Sequence, residues 1–296
     1  NQKMITIKPS LVLKPNDVIL VIGKPDVLMQ VYNVIGKTQG QFPMPFGRNI
    51  YLYLDLYLQN DASIKKAIDE AKYLNQKLKN NLLIVRITRP TTVQIMDYIK
   101  EELKHFPSII LLIDYGNKGF NKITKEDFRK NNIGMIMLTP EMFKNKENIQ
   151  SVLDLKIPIF KFGKENLKAV KRTVIILNDT NSYEQISPIV FDISSQLKIK
   201  TKIFDLDPVG DKEGKTNLLD HFENLAKIFN EKIEVVTSGQ NPIRELKKQK
   251  DMLQLLPLKE KMFKKRFFFK FLYTNSDFIA FDLNKYNQLL IPIVEE

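Results

Sequence analysis

The residues of this chain best suited to chemistry are a few aspartates, glycines and basic side chains placed at the ends of apolar runs. The run Val174-Ile175-Ile176-Leu177 is followed at once by Asn178-Asp179-Thr180-Asn181-Ser182. A short β-branched run of this kind reads as a strand. Asp179, Asn181 and Ser182 then stand at its carboxyl end, the edge at which open α/β sheets place their ligands. Two readings stand side by side. Asp179 accepts a hydrogen bond from a ribose or base, or Asp179 and Asn181 make the turn and cap the next helix. Asp55 takes the corresponding place after the strand-like run from Ile50 to Leu54.

A second candidate is Asp205 to Thr216, DLDPVGDKEGKT, between a strand and a helix. A phosphate-binding P-loop needs four residues between its two glycines. Gly210 and Gly214 enclose three, so Gly210, Gly214, Lys215 and Thr216 fit a plain connection better than a phosphate nest. The two histidines, His105 and His221, have no second nitrogen or sulfur ligand nearby in sequence, and neither suggests a metal site. No set of nucleophile, base and orienting group stands out. With no cysteine in the chain, disulfides, thiolate catalysis and cysteine metal sites are excluded. The expectation is a chain that is not an enzyme.

The 296 residues suffice for two or three compact units, and 43% hydrophobic with 27% charged residues is an ordinary globular composition. No apolar run reaches the roughly 20 residues of a membrane helix. The formal charge of +12 raises a nucleic-acid hypothesis. The excess is lysine scattered along the whole chain, which favours a solvated surface over a nucleic-acid partner. Only Lys264-Lys265-Arg266-Phe267-Phe268-Phe269-Lys270-Phe271 is both basic and aromatic. It reads as a helix whose wide apolar arc packs inside the protein or meets a partner or membrane surface.

These side chains must be positioned by elements that recur in a regular order. From Asn49 the chain alternates buried-type strands with amphipathic helices. Strands are expected at 50–54, 82–87, 109–113, 135–138 and 157–162, with helices between them, the first capped by Ser63 and the second opened by Thr92. The order then repeats with strands at 173–177, 202–206, 233–236, 252–256 and 289–294. Pro188 predicts that the regular part of its helix begins near Ser187. Alternation of this kind implies parallel sheets covered on both faces. The fold class expected is α/β, with tandem five-stranded parallel sheets flanked by helices, preceded by a small α+β segment. Gly36 to Gly47, rich in glycine and proline, is the clearest linker. The domains expected are residues 1–46, 47–165 and 166–296.

The second unit resembles the universal stress protein family, a five-stranded α/β fold of which some members bind adenine nucleotides. The run from Val174 to Ser182 looks like the family's first strand and acidic turn, and Gly239, Pro242 and Ile243 look like its entry into the third helix. The first unit matches with Asp55 in the place of Asp179. The resemblance implies a tandem pair packed as a pseudo-dimer. The family's nucleotide binders carry a glycine-rich loop after the fourth strand, where backbone N–H groups approach the phosphates. Here Thr139 to Gln150 and Lys259 to Phe271 contain no glycine. ATP binding in the family's usual mode is therefore not expected, and the cofactor is left open.

Near the N-terminus, Lys14-Pro15-Asn16-Asp17 is a polar turn, Val18 to Ile22 a strand closed by Gly23, and Val27, Leu28, Val31 and Ile35 a helix capped by Asp26. This stretch resembles the end of the RCK C-terminal (TrkA-C) domain, with Pro15, Asp17, Val18, Gly23, Leu28 and Val31 at the matching positions. The upstream part of such a domain is missing and the chain begins at Asn1, so a fragment of a longer protein is expected. The resemblances imply a cytoplasmic regulatory module of a potassium channel or uptake system, joined to the membrane through a partner, and a homodimer. The alternative is a free-standing, universal-stress-type protein that binds adenine nucleotides.

Overall fold

A computed structural model describes residues 22–24, 41–44, 46–116, 118–177, 179–205, 212–239, 241–259, 281 and 283–293. Most of Leu11 to Ile35 and the whole Lys264–Phe271 run lie outside the described residues. Residues 39–296 form one compact unit.

The first five strands are β1 (Asn49–Asp55), β2 (Leu83–Thr88), β3 (Ile109–Asp114), β4 (Ile133–Leu138) and β5 (Ile159–Lys161). Between them lie the helices α1 (Asp61–Lys77), α2 (Val93–Lys104), α3 (Phe120–Asn131) and α4 (Lys146–Leu153). The second five are β6 (Arg172–Ile176), β7 (Lys200–Asp205), β8 (Ile233–Thr237), β9 (Met252–Leu258) and β10 (Asn287–Pro292). With them come α5 (Thr180–Leu197), α6 (Lys212–Phe229) and α7 (Pro242–Lys248). All the strands belong to one sheet, in the order β3-β2-β1-β4-β5-β10-β9-β6-β7-β8. Each half therefore repeats the same order, and the two five-stranded sets expected from sequence are fused edge to edge. Within each half the described pairings are parallel, while β5 and β10 pair antiparallel, Lys161 opposite Gln288 and Ile159 opposite Leu290.

Alternation along the strands builds two cores. Ile50, Leu52 and Leu54 of β1 join the core that includes α1, α2, α5 and α6, whereas Tyr51 and Tyr53 join the one that includes α3, α4 and α7. The first core runs through both halves, from Leu52 and Leu74 to Ile175 and Phe222. The end of the stretch read as a linker is built into it. Phe42 is fully buried, and Asp192 of α5 accepts the backbone N–H groups of Gln41 and Phe42 at 3.0 and 2.9 Å.

Several strand ends shift by one or two residues from the sequence expectation, and two helix starts are made differently. Asn60, not Ser63, caps α1, its side chain accepting the N–H of Ser63 at 2.9 Å. Ser63 lies three residues downstream, where it supplies the donor. The helix α5 begins at Thr180 and carries Pro188 inside it. Proline removes the N–H that would bond the carbonyl of Glu184. The Ser187 hydroxyl donates to that carbonyl at 2.7 Å, so the helix continues through the proline.

Candidate functional site

The carboxyl ends of β1, β2 and β4 meet at Asp55. Its carboxylate is buried and is gripped by the guanidinium of Arg89, Nε at 3.0 and 3.1 Å from the two oxygens and Nη2 on Oδ2. Arg89 directly follows β2 with φ of 48°, a left-handed turn that swings its side chain back over β1. Its guanidinium also lies 4.9 Å from the ring centre of Tyr57. The ion pair with Asp55, though opposed by burial, raises the guanidinium's already high pKa. Gln59 completes the corner. Its carbonyl oxygen accepts the N–H of Asp55 at 3.2 Å, and its amide donates to Thr139 Oγ1 at 2.7 Å, beyond β4.

Beside this corner opens a cleft of about 500 Å³. Its floor holds Tyr53, Asp55, Thr88 and Arg89, and its walls are the start of α3 and the α4 side chains of Asn148 and Ser151. Tyr53 and Thr88 share a hydrogen bond of 3.0 Å, and burial pushes the Tyr53 phenol up to about 12. Neither of these hydroxyls ionises near neutrality, so both offer hydrogen bonds to the cleft.

The corresponding aspartate of the second half is held differently. Asp179 is the N-cap of α5, accepting the N–H of Ser182 at 3.3 Å and its hydroxyl at 2.8 Å. Lys259, immediately after β9, reaches across to Asp179 Oδ2 at 2.7 Å. Burial raises the carboxyl pKa, but the bonds from Lys259 and Ser182 outweigh it and leave the group below its ordinary range. Asn181 is exposed on the first turn of α5. Asp179, Ser182 and Asn181 are thus together, while Asp55 occupies the matching corner of the other half.

The glycine-lysine candidate is arranged otherwise than a loop. Gly214, Lys215 and Thr216 lie in the first turn and a half of α6, and Gly210 lies outside the described residues. Lys215 reaches Asp205, at the end of β7, at 3.1 Å. His105 is an exposed C-cap of α2, and His221 pairs with Ser187 Oγ at 2.8 Å. Because the Ser187 proton goes to Glu184, the serine oxygen is left to accept from the imidazole N–H. Among the described residues no cluster of three His, Asp or Glu could hold a metal ion.

Reading from sequence missed Arg89, Lys259 and Gln59. Arg89 and Lys259 each directly follow a strand, which was the available signal. In the second half, Lys259 stands at the start of the segment where a glycine loop would approach a phosphate. In the first half that place is taken by Thr139 and a short 3-10 helix, Pro140–Lys144. Proline has no N–H to offer an anion. The arrangement suits a polar, hydrogen-bonding ligand or a fixed structural latch better than a triphosphate.

No family model and no curated protein matches this chain. Solved structures do. A universal stress protein from Archaeoglobus fulgidus superposes with a TM-score of 0.51 at 12% identity, covering 82% of this chain and 96% of that one. A protein of unknown function from Pseudomonas aeruginosa gives 0.53 at 9% identity, covering 83% and 92%. The cytoplasmic domain of a prokaryotic cation chloride cotransporter gives 0.51 at 11% identity, covering 82% and 95%. At such identities the likeness is one of fold, and the fold of residues 39–296 is that of a tandem universal-stress-protein-like α/β pair.

Proposed function

We propose that this chain is a non-catalytic regulatory module of a membrane transport system, acting from the cytoplasmic side. The observation that carries the reading is the fused pair of α/β halves, a fold shared over most of its length with the cytoplasmic domain of a cation chloride cotransporter. No helix among the described residues is long and apolar enough to cross a membrane, and in this reading the module acts on a membrane partner. The resemblance of the sequence from Leu11 to Ile35 to the RCK C-terminal domain makes potassium the ion we favour. In this mechanism a ligand or partner binds one packing of the halves better than another and biases the equilibrium by that difference. The module is expected to self-associate.

The test is potassium or rubidium uptake by cells lacking the gene, together with recovery of a transport protein on the affinity-tagged chain from membranes. Unchanged uptake across potassium concentrations, with no transporter recovered, sinks the proposal.

A second reading, a free-standing adenine-nucleotide-binding protein, is favoured by the cleft beside Asp55. Calorimetric titration with ATP, AMP and cyclic dinucleotides separates the two. Micromolar binding that is lost in Asp55→Ala supports the nucleotide reading, and absence of binding supports the protein-interaction one.

A further inference from the structure

Each half is entered through a short lead-in that the other half holds. The lead-in to β1 is the segment 41–44, and Asp192 of α5, in the second half, accepts the N–H groups of Gln41 and Phe42 through one oxygen, Oδ2. The lead-in to β6 contains the short 3-10 turn Leu167–Ala169, and Glu70 of α1, in the first half, accepts the N–H of Leu167 at 2.8 Å. Phe42 and Leu167 are the apolar pegs of the two segments, 0% and 1% exposed. In both cases the holder is the first helix of one half, and the held residue precedes the first strand of the other.

Gln196 ties the first grip to the helix that makes the second. Its amide nitrogen donates to Asp192 Oδ1 at 2.7 Å and to the carbonyl of Phe42 at 3.2 Å. Its Oε1 accepts the N–H of Lys79, just past the end of α1, at 2.6 Å. One side chain of α5 thus joins the lead-in, the end of α1 and the Asp192 carboxylate. Buried carboxylates are a costly way to hold a backbone. Burial pushes the Asp192 and Glu70 carboxyls above their ordinary range, more than the hydrogen bonds they accept pull them down. Glu70 Oε1 also takes Lys66 at 2.5 Å, while Oε2 is buried with no hydrogen-bond partner among the described residues. A buried acceptor left unmade is a penalty that opening removes. Such grips are maintained by the packing around them and belong to the parts of a structure that open locally.

We propose that the Asp192–Gln196 junction is a releasable joint, which holds the segment leading from residues 1–38 while the two halves keep the observed packing and lets it go when that packing shifts. The joint rests on the regulatory function proposed for the chain and supplies its output, because residues 39–48 are the chain connection between residues 1–38 and β1. The lead-in belongs to the first half in sequence but is held by α5 of the second. Any change in how the halves pack therefore reaches it directly. A ligand that favours one packing fixes or frees the lead-in by its differential affinity for the two.

The test is hydrogen exchange of the Gln41, Phe42 and Leu167 amides in the full chain, with the amides of β1 and β6 as internal reference. It needs no transporter, so its outcome is separate from that of the uptake experiment. Asp192→Leu is expected to speed exchange at Gln41 and Phe42 about tenfold while β1 and β6 stay as in the wild type. Asp192→Asn, which keeps the shape and one acceptor, is expected to have a smaller effect at the same two amides. Glu70→Leu frees Leu167 and touches neither Gln41 nor Phe42. Through Lys79 and Gln196 it is nevertheless expected to speed exchange at both about threefold, and this remote effect is expected to vanish in a Gln196→Leu background. A purely structural contact would give no such coupling. Unchanged exchange at Gln41 and Phe42 in Asp192→Leu, exchange that rises equally in β1 and β6 in both Asp192 variants, or a Glu70→Leu effect confined to Leu167 overturns the proposal.

Discussion

Tyr51 donates its phenol proton to Asp127 at 2.7 Å, and the same carboxylate takes Arg86 in a two-pronged grip of 2.7 and 2.5 Å. The three side chains tie β1 and β2 to α3 beneath the cleft. Burial and the neighbouring carboxylate push the Tyr51 phenol well above its usual range, so it remains a donor throughout. Removing either partner has a different cost. Tyr51→Phe loses one hydrogen bond but leaves Asp127 paired, a cost of about 1–2 kcal/mol. Arg86→Met strands a buried carboxylate and is expected to cost about 3–5 kcal/mol. Urea denaturation followed by circular dichroism gives both values, and equal costs would contradict the network. At Asp179 the prediction concerns pH. A carboxylate whose folded pKa is lowered contributes stability above its unfolded pKa and loses it as pH falls through the folded one. The stability difference between wild type and Asp179→Asn is therefore expected to shrink as pH drops below about 4. A difference that is constant with pH would mean that Lys259 contributes nothing through charge.

The helices show where local sequence is a sufficient guide and where it is not. Thr92 caps α2 as its sequence position suggests, because an N-cap needs only a short side-chain acceptor and an apolar-periodic segment after it. Pro188 misled for the opposite reason, since the compensation by Ser187 depends on how its hydroxyl is oriented. Replacing Pro188 with Ala restores a helical N–H and relieves the clash with the preceding turn. Pro188→Ala is expected to raise stability by about 1 kcal/mol or more. Thermal unfolding measures this, and a lowered midpoint would indicate that the proline ring itself contributes to the packing of α5. The elements around Asp55 and Asp179 were legible as strand, acidic turn and helix. Their cations were not, because Arg89 comes from the second strand of its half and Lys259 from the fourth of its own. No spacing rule links those positions.

At the scale of the molecule the seam between β5 and β10 decides how the halves behave. The core shared by α1, α2, α5 and α6 passes across it without interruption. A single cooperative unfolding transition is expected for residues 39–296, seen as coincident curves by circular dichroism and tyrosine fluorescence. Two transitions would mean that the halves are independent. Gly163 lies against the backbone of Tyr286 at this seam, where a side chain would overlap main-chain atoms. Its N–H also donates to Asn287 at 2.7 Å. Gly163→Val is expected to cost about 2 kcal/mol or more, since neither backbone can give way freely.

The amino-acid sequence by itself determined the alternation of strands and helices, the repeat, and the aspartates at the first strand of each half. These follow from periodicity and turn chemistry, which act over a few residues. Only the tertiary structure decided that the two sets of strands form one sheet, that Arg89 and Lys259 answer the aspartates, and that Gln59 ties Asp55 to Thr139. Each of these is a contact between residues distant in sequence, set by how whole layers pack rather than by local preference.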